Sequence, residues 1–226
     1  MKIGIITAMD EELRLLIETL EDANKHTRQG FVFHTGTIGR HEVVLVQSGI
    51  GKVMSALAVT LLVEAFEIDA IINTGSAGGL DKILSIGDVV IAQELAYHDV
   101  DVTAFGYEYG QMAGQPLYYE SSKYFISELK KLIPEAHIGL ITSSDSFVSH
   151  ATRRIEIKNH FPEVLAVEME GASIAQSATV FKKPFVVIRS ISDLADDEAS
   201  VNFDEFVIEA GRKSAQTLIT LLENME

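Results

Sequence analysis

The sequence predicts an α/β fold, a three-layer α/β/α sandwich around a central mixed β-sheet, and three observations carry that expectation. Short apolar runs with strand-like period alternate with longer segments of helical period. Such alternation builds a mostly parallel sheet with helices on both faces, and several hairpin-like segments make the sheet mixed. The 226 residues hold no repeat, low-complexity tract or Pro/Gly/Ser linker long enough to separate two units, so residues 1–226 read as a single domain.

Taken in order, Lys2–Thr7 has the apolar character of a buried first strand. Met9, Leu13, Leu16, Ile17 and Leu20 then recur at helical spacing and predict a helix over Met9–Leu20. Phe31–Ile38 and His41–Ser48 flank Gly39-Arg40 as a hairpin. The helix predicted over Gly51–Phe66 is apolar nearly all round, with small residues Ser55, Ala56 and Ala58. It must therefore be central or lie at a subunit contact, and a homodimer is the expectation. Strands follow near Ala70–Thr74 and Asp88–Ala92, a helix near Ser122–Leu132, a strand over Ile138–Thr142 and a helix over Ala151–His160. The chain closes with strand Leu165–Met169, helix Gly171–Phe181, strand Phe185–Ser190 and helix Phe203–Leu222. Between them His98–Gln115 is polar, glycine-containing and aromatic, as functional loops and interfaces often are.

Composition narrows the function. With 47% hydrophobic and 23% charged residues and no cysteine, the chain reads as globular, built without disulfides. No apolar run exceeds four residues, far short of the ~20 a membrane helix needs, and the acids at Asp10, Glu11 and Glu12 leave no room for a secretory signal. Cytoplasmic residence is the default. A net charge of -15 repels polyanions, so neither nucleic acid nor anionic membrane is an expected partner. The seven histidines show no metal-ligand spacing. His98-Asp99-Val100-Asp101 reads as a solvated loop, and no metal or cofactor is expected.

Two glycine-rich segments fail as standard motifs. Gly49-Ile50-Gly51-Lys52 lacks the P-loop's leading glycine, where Val46 stands, and its Ser/Thr, where Val53 stands. Gly75-Ser76-Ala77-Gly78-Gly79 lacks dinucleotide-site spacing, and Thr74 occupies the first glycine of a nucleophile elbow. The latter is left as a glycine-rich turn at a strand's carboxyl end, where open α/β sheets bind ligands.

Carboxylates are the chemical candidates. On the first helix Glu11 lies opposite the apolar stripe, while Asp10 and Glu12 flank it. Periodicity does not choose between those two, and all three acids also complement the helix N-terminus. Glu168 and Glu170 bracket Met169 between a strand and a helix; their burial requires a ligand or a cation, or else they cap the helix. Asp193 follows the apolar strand, and Arg189 emerging from that strand needs an acidic partner, with Glu168 and Glu170 as candidates.

The segments GIITAMDEE (4–12), SGIGKV (48–53), INTGSAGGL (72–80), YHDVDVTAFGYEYGQ (97–111), SDSFV (144–148), VEMEG (167–171), RSISDLAD (189–196) and FDEF (203–206) span essentially the whole chain. Together they resemble the 5'-methylthioadenosine/S-adenosylhomocysteine nucleosidases of the purine nucleoside phosphorylase superfamily. The resemblance implies hydrolysis of an N-glycosidic bond, releasing adenine and a 5-thioribose derivative. It implies Asp193 as the acid that protonates adenine N7, and Glu12 rather than Asp10 as the base that activates water, with Ser76 and Arg189 positioning that water. Glu170 is implied to hold the ribose hydroxyls with Glu168 in support. Phe147 and Val148 are implied at the purine, Met9, Ile50, Met169 and Phe203 around the 5'-alkylthio tail, and Gly78 and Ser192 as further substrate-binding residues. Val102, Phe105 and Ala113 are implied to complete the tail pocket of a neighbouring subunit. Thr7, Asp10 and Ala113 depart from the family's usual glycine, glutamate and proline. A phosphorylase, a nucleosidase with another 5'-tail and a nucleoside sensor are the competing expectations, but acids at the first loop suit water better than phosphate.

Overall fold

In the computed structural model, which describes residues 1–196 and 198–225, ten strands form one mixed sheet. The strands are β1 (Lys2–Thr7), β2 (Glu21–Arg28), β3 (Phe31–Ile38), β4 (His41–Gln47), β5 (Ala70–Gly79), β6 (Val89–Tyr97), β7 (Tyr119–Glu120), β8 (His137–Ser143), β9 (Val164–Glu168) and β10 (Phe185–Asp193). The helices are α1 (Asp10–Thr19), α2 (Lys52–Phe66), α3 (Lys123–Leu132), α4 (Ala151–His160), α5 (Gly171–Val180) and α6 (Ala199–Asn224).

Alternation along the strands sorts the core into two layers. Ile6, Ile71 and Val187 meet Ala58, Val59 and Leu62 of α2 and Ala172, Ala175 and Ala178 of α5. Ile3, Ile5, Ile72, Val186 and Ile188 face Leu13 and Leu16 of α1, Phe125 of α3 and Leu218 of α6. The sheet is not flat across its width. β5, β9, β8, β6 and β10 each pair with the next, and β10 returns to β5, so five strands close into a ring with β1, β4, β3 and β2 extending from one side. Closure draws the carboxyl ends of β5, β9 and β10 toward one another.

The predicted elements are present, with five differences. β2 is absent from the sequence expectation because all eight of its residues, EDANKHTR, are exposed; an edge strand with no buried face leaves no apolar alternation to detect. The two-residue β7 is too short for any period. The last helix starts at Ala199, four residues before the predicted Phe203. Gly75–Gly79 is the end of strand β5 and not a turn. α2 is not central: Ser55, Ala58, Val59 and Leu62 are buried, whereas Val53 (70%), Leu57 (47%) and Met54 (39%) are exposed. Among the described residues, no helix is long and apolar enough to cross a membrane.

Candidate active site

The carboxyl ends of β1, β5, β9 and β10 and the start of α1 enclose a cavity of about 290 Å³ whose lining includes Glu12, Ser76, Glu168, Glu170, Arg189 and Asp193. Glu12 sits at the third position of α1. Its Oε2 accepts hydrogen bonds from the backbone N–H of Ala8 (2.9 Å) and Met9 (3.1 Å), which satisfies orphan donors at the helix entrance. Its Oε1 accepts from the Ser76 backbone N–H (3.0 Å) and hydroxyl (3.3 Å). Capping and site-facing roles are thus divided between the two oxygens of one carboxylate. Asp10 is solvent-exposed and paired with Arg14 at 2.6 Å, so the geometry separates the two flanking acids that periodicity could not.

Glycine makes this approach possible. A Cβ on Gly75 would lie 2.6 Å from Glu12 Oε1, and one on Gly211 of α6 would lie 3.2 Å from Glu12 Cγ. Burial pushes the Glu12 carboxyl above the usual range, opposed by the nearby Arg189 charge and the backbone donors.

Across the cavity, Glu168 ends β9 and is fully engaged. Its Oε1 accepts from Ser143, and its Oε2 accepts from the N–H groups of Glu170 (3.0 Å) and Gly171 (2.7 Å) and from Arg189 Nη2 (2.6 Å). Burial alone would raise its pKa, but Arg189 and the hydrogen bonds win and hold it low. Arg189 also donates to Asn73 Oδ1 at 2.6 Å and stands 3.9 Å from Glu170 Oε2, so Glu168 is its chief partner. Glu170 is the N-cap residue of α5, and its Oε1 accepts the Gly51 N–H at 2.9 Å. Burial, then the neighbouring Glu168 charge, raises its pKa. One buried acid is therefore neutralised by structure, and the other is left short of partners.

Asp193 ends β10 with Oδ1 accepting from the Ala195 N–H and Oδ2 from the Ser192 hydroxyl, both at 2.9 Å. Only 1% of it is exposed, and burial raises its pKa. β10 runs beside β5 with Asp193 opposite Gly78, where a Cβ would meet Asp193 Oδ1 at 2.8 Å. The two glycines that bring β5 against Glu12 and Asp193 account for the composition of the segment at 75–79.

Met9, Ile50, Gly78, Phe147, Met169, Ser192 and Phe203 line the same cavity. Phe147 and Phe203 meet edge to face with centroids 5.5 Å apart. Val148 lies behind Phe147, in a small annex it shares with Gly78 and Asp193. Val102, Phe105 and Ala113 do not reach this chain's own cavity; Phe105 is 81% exposed.

The expectation of a solvated loop at 98–101 is corrected. His98 and Val100 are buried, His98 Nδ1 meets Thr142 Oγ1 at 3.0 Å, and Asp99 binds Lys52. Asp101 alone fits the expectation, capping Thr103 at the surface. Among the described residues, no group of three or more His, Cys, Asp or Glu could hold a metal ion. Sequence reasoning missed Asn73, Ser143, Gly51 and Gly211 as supports. Asn73 left a signal, a polar side chain inside an otherwise apolar strand; Ser143 acts through its hydroxyl, which donates to Glu168 and accepts from the Ala172 N–H, and the two glycines act through a backbone N–H or clearance, which no pattern of residue types records.

A sequence model of the phosphorylase superfamily matches residues 2–224. A 5'-methylthioadenosine/S-adenosylhomocysteine nucleosidase of Shewanella sp. (strain MR-7) is 47% identical over 231 aligned positions, covering 100% of this chain and 98% of that protein. Two solved structures superpose closely. An S-adenosylhomocysteine nucleosidase of Streptococcus pyogenes, in complex with 5-methylthiotubericidin, gives a TM-score of 0.99 at 54% identity, covering 100% of this chain and 98% of that one. A 5'-methylthioadenosine/S-adenosylhomocysteine nucleosidase of S. pneumoniae, with the transition-state inhibitor MT-ImmA, gives 0.98 at 56% identity over all of both chains. The chain belongs to the phosphorylase superfamily and, within it, to the 5'-methylthioadenosine/S-adenosylhomocysteine nucleosidases.

Proposed function

We propose that this cleft hydrolyses the N-glycosidic bond of 5'-methylthioadenosine and S-adenosylhomocysteine, and of 5'-deoxyadenosine by the same chemistry. The observation that carries the reading is that Glu12 and Asp193 border one cavity. Asp193 gives a proton to adenine N7 as the C1'–N9 bond breaks and its electron pair moves into the purine. The sugar becomes oxocarbenium-like, and water adds to C1' while Glu12 takes the water's proton. One water is consumed; adenine leaves with the 5-thioribose derivative, or with 5-deoxyribose when 5'-deoxyadenosine is the substrate. Burial raises the pKa of both acids above the ordinary carboxylate range, the direction that favours a proton-transfer role.

Ser76 and Arg189 position the water, an assignment supported by the Ser76 hydroxyl 3.3 Å from Glu12 Oε1. Glu170 accepts from the ribose 2'- and 3'-hydroxyls, and Glu168 supports it by neutralising Arg189 and fixing the start of α5. Phe147 stacks on the purine, the Val148 backbone reads its edge, and Gly78 and Ser192 make room for Asp193 and hold it. Met9, Ile50, Met169 and Phe203 surround the tail. Among the described residues lining the cavity, Arg189 is the one cation, and Glu168 occupies it, so water is a better-matched nucleophile than phosphate.

We further infer a cytoplasmic homodimer in which Val102, Phe105 and Ala113 close the partner's tail pocket. Exposed Val53, Met54 and Leu57 on α2, with exposed Ile50 at the cavity rim, support an apolar contact beside the site. The reaction places the protein in methionine salvage. The test is adenine release from methylthioadenosine with and without added phosphate. Equal rates support hydrolysis, and release that requires phosphate overturns it.

A further inference from the structure

We propose that Lys52 is a positioning residue for this reaction, tying two cavity-forming segments, at 50–52 and 145–147, into one cluster with Asp99 so that Glu170 and Phe147 are held in register. The proposal rests on the nucleosidase reading. Lys52 Nζ lies 2.7 Å from Asp99 Oδ2 and 3.6 Å from Asp145 Oδ2. The Lys52 backbone N–H donates to Asp145 Oδ1 at 2.8 Å, and the Asp145 N–H donates to Asp99 Oδ2 at 3.1 Å. The ammonium also stands 5.4 Å over the Tyr97 ring, whose hydroxyl donates to Gln176 of α5 at 2.6 Å.

The ties of Lys52 and Asp145 lead into the cavity. The residue before Lys52 is Gly51, whose N–H is held on Glu170. Asp145 opens the turn that carries Phe147, and the Ser144 N–H is bonded to the Glu168 carbonyl oxygen at 3.1 Å. The Lys52 carbonyl accepts from Ser173 in the first turn of α5. Gly51 has a φ of +95°, a conformation in which a lone backbone turn has many alternatives; the flanking cluster selects one of them. Side chains of Lys52 and Asp99 are only 23% and 20% exposed, so the pair is better shielded than an ordinary surface bridge. The lysine that makes Gly49-Ile50-Gly51-Lys52 resemble a phosphate loop is thus committed to two carboxylates and binds no substrate group itself.

Steady-state kinetics on the full-length protein test this. Lys52→Met raises KM for methylthioadenosine about tenfold with kcat within about twofold, because Glu12 and Asp193 are untouched, and both limbs of the pH profile stay in place. Lys52→Arg recovers most of the loss. Asp99→Asn moves KM in the same direction, and the double variant is no worse than Lys52→Met, since both remove one cluster. An unchanged KM, or a fall in kcat at constant KM, as expected if the cluster only maintained the folded fraction, overturns the proposal. If Lys52→Met does not fold, Asp99→Asn carries the same criterion. Should the unsubstituted protein release no adenine, the nucleosidase reading fails. Calorimetric binding of adenine to the unsubstituted protein and to Asp99→Asn then decides the Lys52 proposal separately, with equal affinities overturning it.

Discussion

The floor of the cavity and its rim are built on opposite principles. On the floor, Glu12, Glu168, Glu170, Arg189 and Asp193 are each at most 8% exposed, whereas Ile50 (57%), Phe147 (44%) and the distant Phe105 (81%) keep large apolar surfaces in contact with solvent. The floor carboxylates come from strand ends and helix starts and are held by backbone donors, and Arg189 is held on Glu168 and Asn73. At the rim Phe147 and Phe203 meet edge to face, while Ile50 and Phe147 keep large apolar surfaces open. Floor groups fixed in this way suit chemistry that needs defined proton positions, because their reorganisation is smallest.

The sharpest way to break that contrast is to change the floor without changing its shape. Asp193→Asn and Glu12→Gln should each lower kcat by about 10²- to 10⁴-fold while adenine still binds, measured by single-turnover release and calorimetry. Activity of Glu12→Gln equal to that of the unsubstituted protein would remove Glu12 from the mechanism. Next in size is Glu170→Gln, which leaves one acceptor in place of two and should raise KM for ribonucleosides by about 10- to 100-fold, with a much smaller effect on 2'-deoxy analogues.

The same variant exposes a cost of preorganisation. Glu170 is held above its ordinary pKa by burial and Glu168, so the folded protein binds that proton more tightly than the unfolded chain does. Its stability is fullest below the ordinary carboxylate range and declines as pH rises toward the raised value. Glutamine does not ionise. Glu170→Gln should therefore melt at a higher temperature than the unsubstituted protein in mildly alkaline buffer, with the gap closing in acid; a lower melting temperature in alkali would show that the charge is well accommodated. For Asp193, also raised by burial, the sign works on rate. Turnover should fall as pH climbs through its pKa and the acid loses its proton, and this alkaline limb should vanish from the residual activity of Asp193→Asn.

The smallest effect is expected at the rim. Phe105→Ala should raise KM about fivefold without moving the melting temperature, since an exposed ring contributes little to the fold. If it acts in a partner's pocket, the loss should be complemented in mixed dimers with a Glu12→Gln subunit.

Legibility followed burial. β1 and β10 were readable because each places apolar side chains on both faces, while β2 was not, because none of its eight residues is covered. The acids were visible as candidates, yet the stripe on α1 left Asp10 and Glu12 equivalent until the fold set one against Ser76 and the other beside Arg14. Gly75 and Gly78 suggested a turn because glycine most often marks one; here they mark two carboxylates pressed against a strand, a reason that exists only in three dimensions.

What the sequence determined by itself was the alternation of strands and helices, the acidic character and the identity of the groups able to move protons, because period, charge and side-chain chemistry are local properties. Tertiary structure decided which acid faces the cavity, that Arg189 is balanced by Glu168, and that α2 exposes an apolar face. The first needs Glu12 to meet Ser76, 64 positions away, the second needs Arg189 to meet Glu168, 21 positions away, and the third depends on which face of α2 other elements cover; no local pattern encodes those contacts.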